Sequence, residues 1–149
     1  LDVMRSLWRG GMVEHHGEFY DFGPVQISPA PEVPIPIYGG GVSNAALRRA
    51  ATLCDGWASE IQSREELPEL LERMRCFRAE SHRSREAFGV CAALRDVYDR
   101  GGYRARADLG VTELSTVPWL LYGADANSLE QKTECIRRFG EEVIARLRP

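Results

Sequence analysis

Three consecutive glycines, Gly39, Gly40 and Gly41, separate an apolar extended run, Pro36-Ile37-Tyr38, from Ser43-Asn44-Ala45-Ala46-Leu47-Arg48-Arg49. The run predicts a strand over residues 35–38. The glycines predict a tight turn with bare backbone, and Ser43 supplies the N-cap of the helix that follows. The first amide N–H groups of a helix lack intrahelical partners and lie at the positive end of its dipole, so this turn suits an anion, above all a phosphate. The same residues also describe a sharp strand-to-helix turn that binds nothing.

The pattern downstream repeats the alternation. Leu47, Ala50, Ala51 and Cys54 recur at helical spacing, with Gly56 predicted to close the helix. Trp57-Ala58-Ser59-Glu60-Ile61 predicts a second strand. Ser63-Arg64-Glu65-Glu66 has the form of a capping box, and Pro68 belongs in the first turn of the helix it opens. Leu67, Leu70, Leu71, Met74 and Phe77 form the predicted buried stripe of that helix, and 81–86 reads as polar loop.

The continuous apolar run 88–94 predicts a strand buried on both faces. A short helix over 103–109, ended by Gly110, leads to a fourth strand over 111–118. The last helix spans 128–147, capped by Asn127 or Ser128, with Leu129, Ile136, Phe139, Val143, Ile144 and Leu147 as its stripe. The order βαβαβαβα calls for parallel strands covered by helices. Both a doubly wound sheet and half of a (β/α)8 barrel satisfy it, since a whole barrel needs about 250 residues.

Before the first strand, 2–9 reads as the tail of a helix stopped by Gly10-Gly11, which suggests that the natural chain begins earlier. Residues 13–22 form an aromatic-rich extended excursion with a turn near Gly17. Adjacent His15 and His16 point to opposite faces of an extended chain and are poorly placed to share a metal, so no metal site is expected. Pro24, Pro29, Pro31, Pro34 and Pro36 mark a fixed connector that can be neither helix nor central strand.

A net charge of −3 gives no electrostatic case for nucleic acid or an anionic membrane. No run approaches the ~20 apolar residues needed to span a bilayer. Cys54, Cys76, Cys91 and Cys135 contain no CxxC pair. In apolar-periodic segments they read as buried, reduced thiols of a cytoplasmic protein.

Several stretches taken in order resemble one family: Leu7-Trp8-Arg9-Gly10-Gly11, His16-Gly17-Glu18-Phe19-Tyr20, Pro36-Ile37-Tyr38-Gly39-Gly40, Ala45-Ala46-Leu47-Arg48-Arg49-Ala50-Ala51 and Asp55-Gly56-Trp57. They look like the luciferase-like monooxygenases, which include bacterial luciferase and the deazaflavin-dependent oxidoreductases. Leu109-Gly110-Val111-Thr112-Glu113, Val117-Pro118-Trp119 and Arg138-Phe139 resemble the deazaflavin branch. The resemblance implies a single domain forming the C-terminal half of a (β/α)8 TIM barrel of bacterial-luciferase-like type. Residues 1–34 would be the helix tail and excursion, and 35–149 would supply strands five to eight.

It further implies a flavin- or deazaflavin-dependent oxidoreductase, with FMN or the deazaflavin coenzyme F-420 as cofactor and a small-molecule substrate. Backbone N–H groups of Gly39, Gly40 and Gly41 and the Ser43 hydroxyl would hold the cofactor phosphate, with Ser59 adding a polar contact. The family's catalytic acid or base matches no residue in this chain. Trp119 would line the pocket rim or pack, Tyr38 would face the barrel interior or the helices, and Arg48 and Arg49 would be a solvated face or anion ligands.

A Rossmann reading fits less well: Asn44 stands where its third glycine belongs, and Asp55 comes too early for its ribose-binding acid. Two further alternatives stay open. Half a barrel exposes two sheet edges, so copies could self-pair as a homo-oligomer, and an isolated half could be an inert fragment. A non-enzymatic phosphate-binding α/β domain would carry the same turn.

Overall fold

The computed structural model describes residues 1–147. The chain falls into two compact units, Leu1–Ile37 and Tyr38–Pro149. In the first, helix α1 (Asp2–Trp8) ends before Gly10 and Gly11, both at positive φ. An antiparallel hairpin follows, β1 (Val13–His16) with β2 (Asp21–Val25). His16 Nδ1 lies 2.6 Å from Asp21 Oδ1, while the ring of His15 meets Phe22. Pro24, expected in a connector, lies inside β2. A two-stranded ribbon consists only of edges, so a missing N–H can face solvent there.

The second unit carries a four-stranded parallel sheet in the order β3 (Tyr38–Gly40), β4 (Gly56–Gln62), β5 (Gly89–Leu94), β6 (Glu113–Ser115). Between strands run α2 (Asn44–Leu53), α3 (Glu66–Ala79) and α4 (Arg100–Asp108); after β6 come α5 (Pro118–Leu121), α6 (Leu129–Phe139), a π-helical turn (Gly140–Ile144) and α7 (Ala145–Leu147). Four parallel strands joined by helical crossovers make about half of a (β/α)8 barrel.

The helices start where the sequence places their caps. Ser43 Oγ accepts the Ala46 N–H. The capping box closes reciprocally: Ser63 N–H donates to Glu66 Oε2 at 2.7 Å and Glu66 N–H donates to Ser63 Oγ at 3.2 Å. Ser128 Oγ, rather than Asn127, caps α6. The core joins Leu47, Ala50 and Ala51 of α2 to Leu67, Leu70, Leu71 and Met74 of α3 and to Trp57, Val90, Ala92 and Leu94 of the sheet.

One face of the sheet is covered and the other open. Along β5, Val90, Ala92 and Leu94 are buried, whereas Gly89, Cys91 and Ala93 are only half-buried. The expectation of a strand buried on both faces is corrected accordingly: the residues of the second face meet no covering layer in this chain. Tyr38, expected to face either way, lies on this open face. Its ring crosses the first residues of β4 and β5, so that a Cβ on Gly56 would sit 2.6 Å from Tyr38 Cε1. Gly56 therefore opens β4 and does not close α2, whose C-cap is the extended Cys54.

The C-terminal third departs most from the sequence reading. Strand β6 has three residues instead of eight, and Trp119 belongs to α5 rather than to a strand end. On the last helix Leu129 is 79% exposed, and Ile136 and Ile144 are also exposed. The buried seam is Cys135 and Phe139 of α6 and Val143 of the π-helical turn, each four residues on from the last. Cys54 and Cys135 are buried as expected, but Cys91 is half-buried and Cys76 is exposed; none of the four is in a disulfide.

Candidate functional site

Gly39 and Gly40 end β3, Gly41 and Ser43 lead into α2, and Ser59 follows Ala58, the partner of Gly40 in β4; each glycine of the triplet has its own physical reason. A Cβ on Gly39 would lie 2.8 Å from Ala50 Cβ and 3.2 Å from Cys54 Sγ, so this glycine lets α2 pack against β3. Gly41 takes φ +98°, a region L side chains rarely adopt, and its Cβ would meet Ala46 Cβ at 2.9 Å. Gly40 differs, because only the Ala58 carbonyl, at 4.0 Å, stands near its Cβ position. It is the one open backbone approach in the triplet.

Behind the turn, Trp57 is wholly buried and its Nε1–H donates to the Gly41 carbonyl at 2.9 Å. This bond fixes the direction of the turn from below. Ser43 holds Ala46 N–H with its side chain and Leu47 N–H with its carbonyl. Helix geometry leaves the N–H groups of Asn44 and Ala45 without intrahelical partners, pointing out of the N-terminus.

Sequence reasoning missed Arg73. Its guanidinium crosses from α3 to donate to the Val42 carbonyl at 3.1 Å and to Asn44 Oδ1 at 2.8 Å. A fixed cation thus stands within the first turn of α2, adding to the dipole there. Residue spacing could not reveal this contact, because 31 positions separate donor and carbonyl. Arg48 and Arg49, which sequence offered instead, lie on the exposed face of α2; Arg48 stacks over the Phe77 ring and faces Glu80 at 3.6 Å.

Ser59 occupies a β-bulge. The pairing runs Ala58 with Cys91 and then Ile61 with Ala93, so β4 carries one extra residue. Ser59 Oγ accepts the Ala93 N–H at 3.0 Å and donates to the Glu60 carbonyl at 2.8 Å, standing in for a ladder carbonyl. Its hydroxyl is thereby committed to the sheet. Trp119 lies under the Lys132 ammonium, 5.4 Å from its ring centroid, a packing contact between α5 and α6.

On the open face, Tyr38 Oη donates to the Glu113 carboxylate, tying β3 to β6 across the two strands between them. That bond to an anion, with burial second, pushes the Tyr38 hydroxyl up to about 12. Beside it, burial and then the Glu113 charge push the Cys91 thiol up. Neither group is a ready nucleophile or base at neutral pH. Among the described residues no cluster of His, Cys, Asp or Glu could hold a metal ion, and no helix is long and apolar enough to cross a membrane.

Comparison with known proteins supplies the context. The family described as luciferase-like monooxygenase matches residues 1–142. An uncharacterized protein of Mycobacterium bovis is 35% identical over 99% of this chain, which covers 51% of that protein. An uncharacterized protein of Mycobacterium tuberculosis matches to the same extent. The pyrimidine monooxygenase RutA of Allorhizobium ampelinum is 25% identical over 98% of the chain and 37% of its own length. The chain therefore spans about half the length of the mycobacterial relatives and less of RutA. In fold it is similar to the coenzyme F420 dependent tetrahydromethanopterin reductase of Methanopyrus kandleri. The TM-score is 0.50 at 18% identity, over 94% of this chain and 43% of that one.

Proposed function

On the premise that this chain belongs to the luciferase-like monooxygenase family, we propose that it forms the phosphate-holding half of a flavin-type oxidoreductase site. The cofactor is deazaflavin coenzyme F-420 or FMN and the substrate a small molecule. One observation carries the reading: the α2 N-terminus opens at the C-terminal end of β3, beside the unobstructed backbone of Gly40 and the Arg73 guanidinium. A phosphate there would meet the N–H groups of Asn44 and Ala45, close backbone at Gly40 and a fixed positive charge. When bound, the cofactor supplies hydride transfer or, in flavin-dependent members, oxygen activation.

This chain's own residues hold and orient. Gly41 turns the backbone away at positive φ, Trp57 anchors its carbonyl, and Ser43 keeps the helix end in place while its O–H stays available to an anion. Ser59 contributes indirectly, by holding the bulge. The open sheet face, with Tyr38, Cys91 and Glu113 on it, supports closure against a second half-barrel, as in a self-paired homo-oligomer.

Titration with FMN and with coenzyme F-420, followed by cofactor fluorescence, tests the reading. Saturable binding of one of them is expected, competed by inorganic phosphate and weakened about tenfold by Arg73→Met. No binding of either cofactor to a folded sample overturns it and leaves the inert half-barrel. Equilibrium sedimentation tests the pairing: a monomer that unfolds cooperatively would refute it.

A further inference from the structure

The parallel sheet ends in two short edges, β3 and β6, and every residue of β6 is exposed. A right-handed crossover carries each helix of such a sheet toward the side of the next strand. β6 is the last strand in the order, and α6 is the long helix that follows it. On this helix Leu129 is exposed, and so are Ile136 and Ile144, which stand one residue after the buried Cys135 and Val143. These three side chains make an apolar stripe along one flank of the buried seam.

At the other edge, α2 has an open flank of complementary character. Its Arg48 turns to Phe77 and Glu80, whereas Ala45, Arg49 and Leu53 recur every fourth residue and are exposed. α2 carries two arginines and no acid. Among the described residues the Arg49 guanidinium meets no acceptor, and no cation meets Glu130, the acid beside Leu129. The other acids near the stripe are already paired, Glu134 and Glu141 with Arg137 and Glu142 with Arg138. The stripe thus offers apolar surface and one unspent negative charge, and the flank of α2 offers apolar surface and one unspent positive charge.

We infer that the α6 stripe is the docking surface for the flank of α2 in a second copy of this chain. Both helices follow strands of the same direction, so they run side by side and parallel once β6 pairs with β3 of the partner subunit. Counted from the caps Ser43 and Ser128, Ala45 falls level with Leu129 and gives it room, and Leu53 falls within a turn of Ile136. Arg49 stands one turn beyond the level of Glu130, about 6 Å along the axis, within reach of its long side chain. A twofold axis makes each contact twice and closes both sheet edges at once. The inference rests on the pairing of half-barrels proposed above and adds which side chains hold the halves together.

Equilibrium sedimentation of the full chain tests it, with far-UV circular dichroism of each variant to show that the helices are retained. A wild-type dimer is expected. Ile136→Lys sets a charge between the two helices and should weaken that dimer at least about tenfold. Arg49→Glu, facing Glu130 with a like charge, should weaken it about tenfold, and adding Glu130→Arg should restore it to within about threefold. Should Ile136→Lys lose helix signal, Leu129→Lys, at the most exposed position of the stripe, takes its place. A wild-type monomer overturns the pairing and this inference together. A wild-type dimer that the stripe variant leaves unmoved, or that the charge exchange fails to restore, overturns this inference alone.

Discussion

Replacing Gly89 by alanine should destabilise this protein through a residue 51 positions away. A Cβ on Gly89 would stand 2.0 Å from Tyr38 Oη and 2.6 Å from its Cζ, distances that no small adjustment relieves. The ring must lift off the glycine floor and release Glu113. The lost hydrogen bond to a carboxylate, discounted for its exposure, is worth about 1 kcal/mol. Repacking a forced side chain adds roughly 1–3 kcal/mol. The sum, about 2–4 kcal/mol, corresponds to a fall of roughly 5–15 °C in Tm for a chain of this size.

Urea and thermal melts of four proteins decide the matter: wild type, Gly89→Ala, Tyr38→Ala and the double variant. If the ring is the obstacle, Gly89→Ala costs much less once Tyr38 is truncated, and the double-mutant cycle shows a coupling of at least about 1 kcal/mol. Equal cost in both backgrounds would refute the reasoning and point to the strand itself.

Three further outcomes are expected. Because the folded-state pKa of Tyr38 is raised to about 12, its contribution is complete below about pH 10 and is lost as pH rises from 10 to 12. Melts in that window should show a loss of stability that Tyr38→Phe lacks. Ser43→Ala removes the N-cap of α2 and should cost about 1 kcal/mol in a denaturant melt, with Ser43→Gly costing less. Arg78, in the last turn of α3, is buried and donates to the carbonyls of Ala51, Arg83 and Glu86. Arg78→Met should cost about 3 kcal/mol by removing three hydrogen bonds from a charged donor, the one to Ala51 buried, and an unchanged urea midpoint would count against it.

What the sequence conveyed and what it withheld divide along one physical line. Local devices were legible: the Ser43 cap, the Ser63–Glu66 capping box and the stop at Gly110, which takes φ +95°. So was the alternation that leads to a parallel sheet. Long-range devices were not. Gly56 reads as a helix terminator unless one knows that the Tyr38 ring passes over it. The apolar run 88–94 looks the same whether one face or two are covered, because small apolar residues on the open face carry no mark of what they meet. Leu129 and Ile136 fit a helical period but face solvent, since only the seam through Phe139 meets the core. Of the candidate site, the glycines and Ser43 could be found from spacing, whereas Arg73 reaches them only through the packing of α3 on α2.

The extra residue in β4 sets the phase of everything after it. Side chains in a strand alternate with a period of two, so one inserted residue exchanges the two faces for the remainder of the strand. Without the bulge, Ile61 would stand opposite Leu94 and turn toward the helices, as its spacing from Trp57 suggests, while Gln62 would turn to the open face. With it, Ile61 is opposite Ala93 and Gln62 opposite Leu94. Regular pairing of the same residues would therefore act as a frameshift in space, burying an isoleucine and turning Gln62 outward, whereas deleting Ser59 would remove the bulge and leave Ile61 opposite Ala93 and Gln62 opposite Leu94.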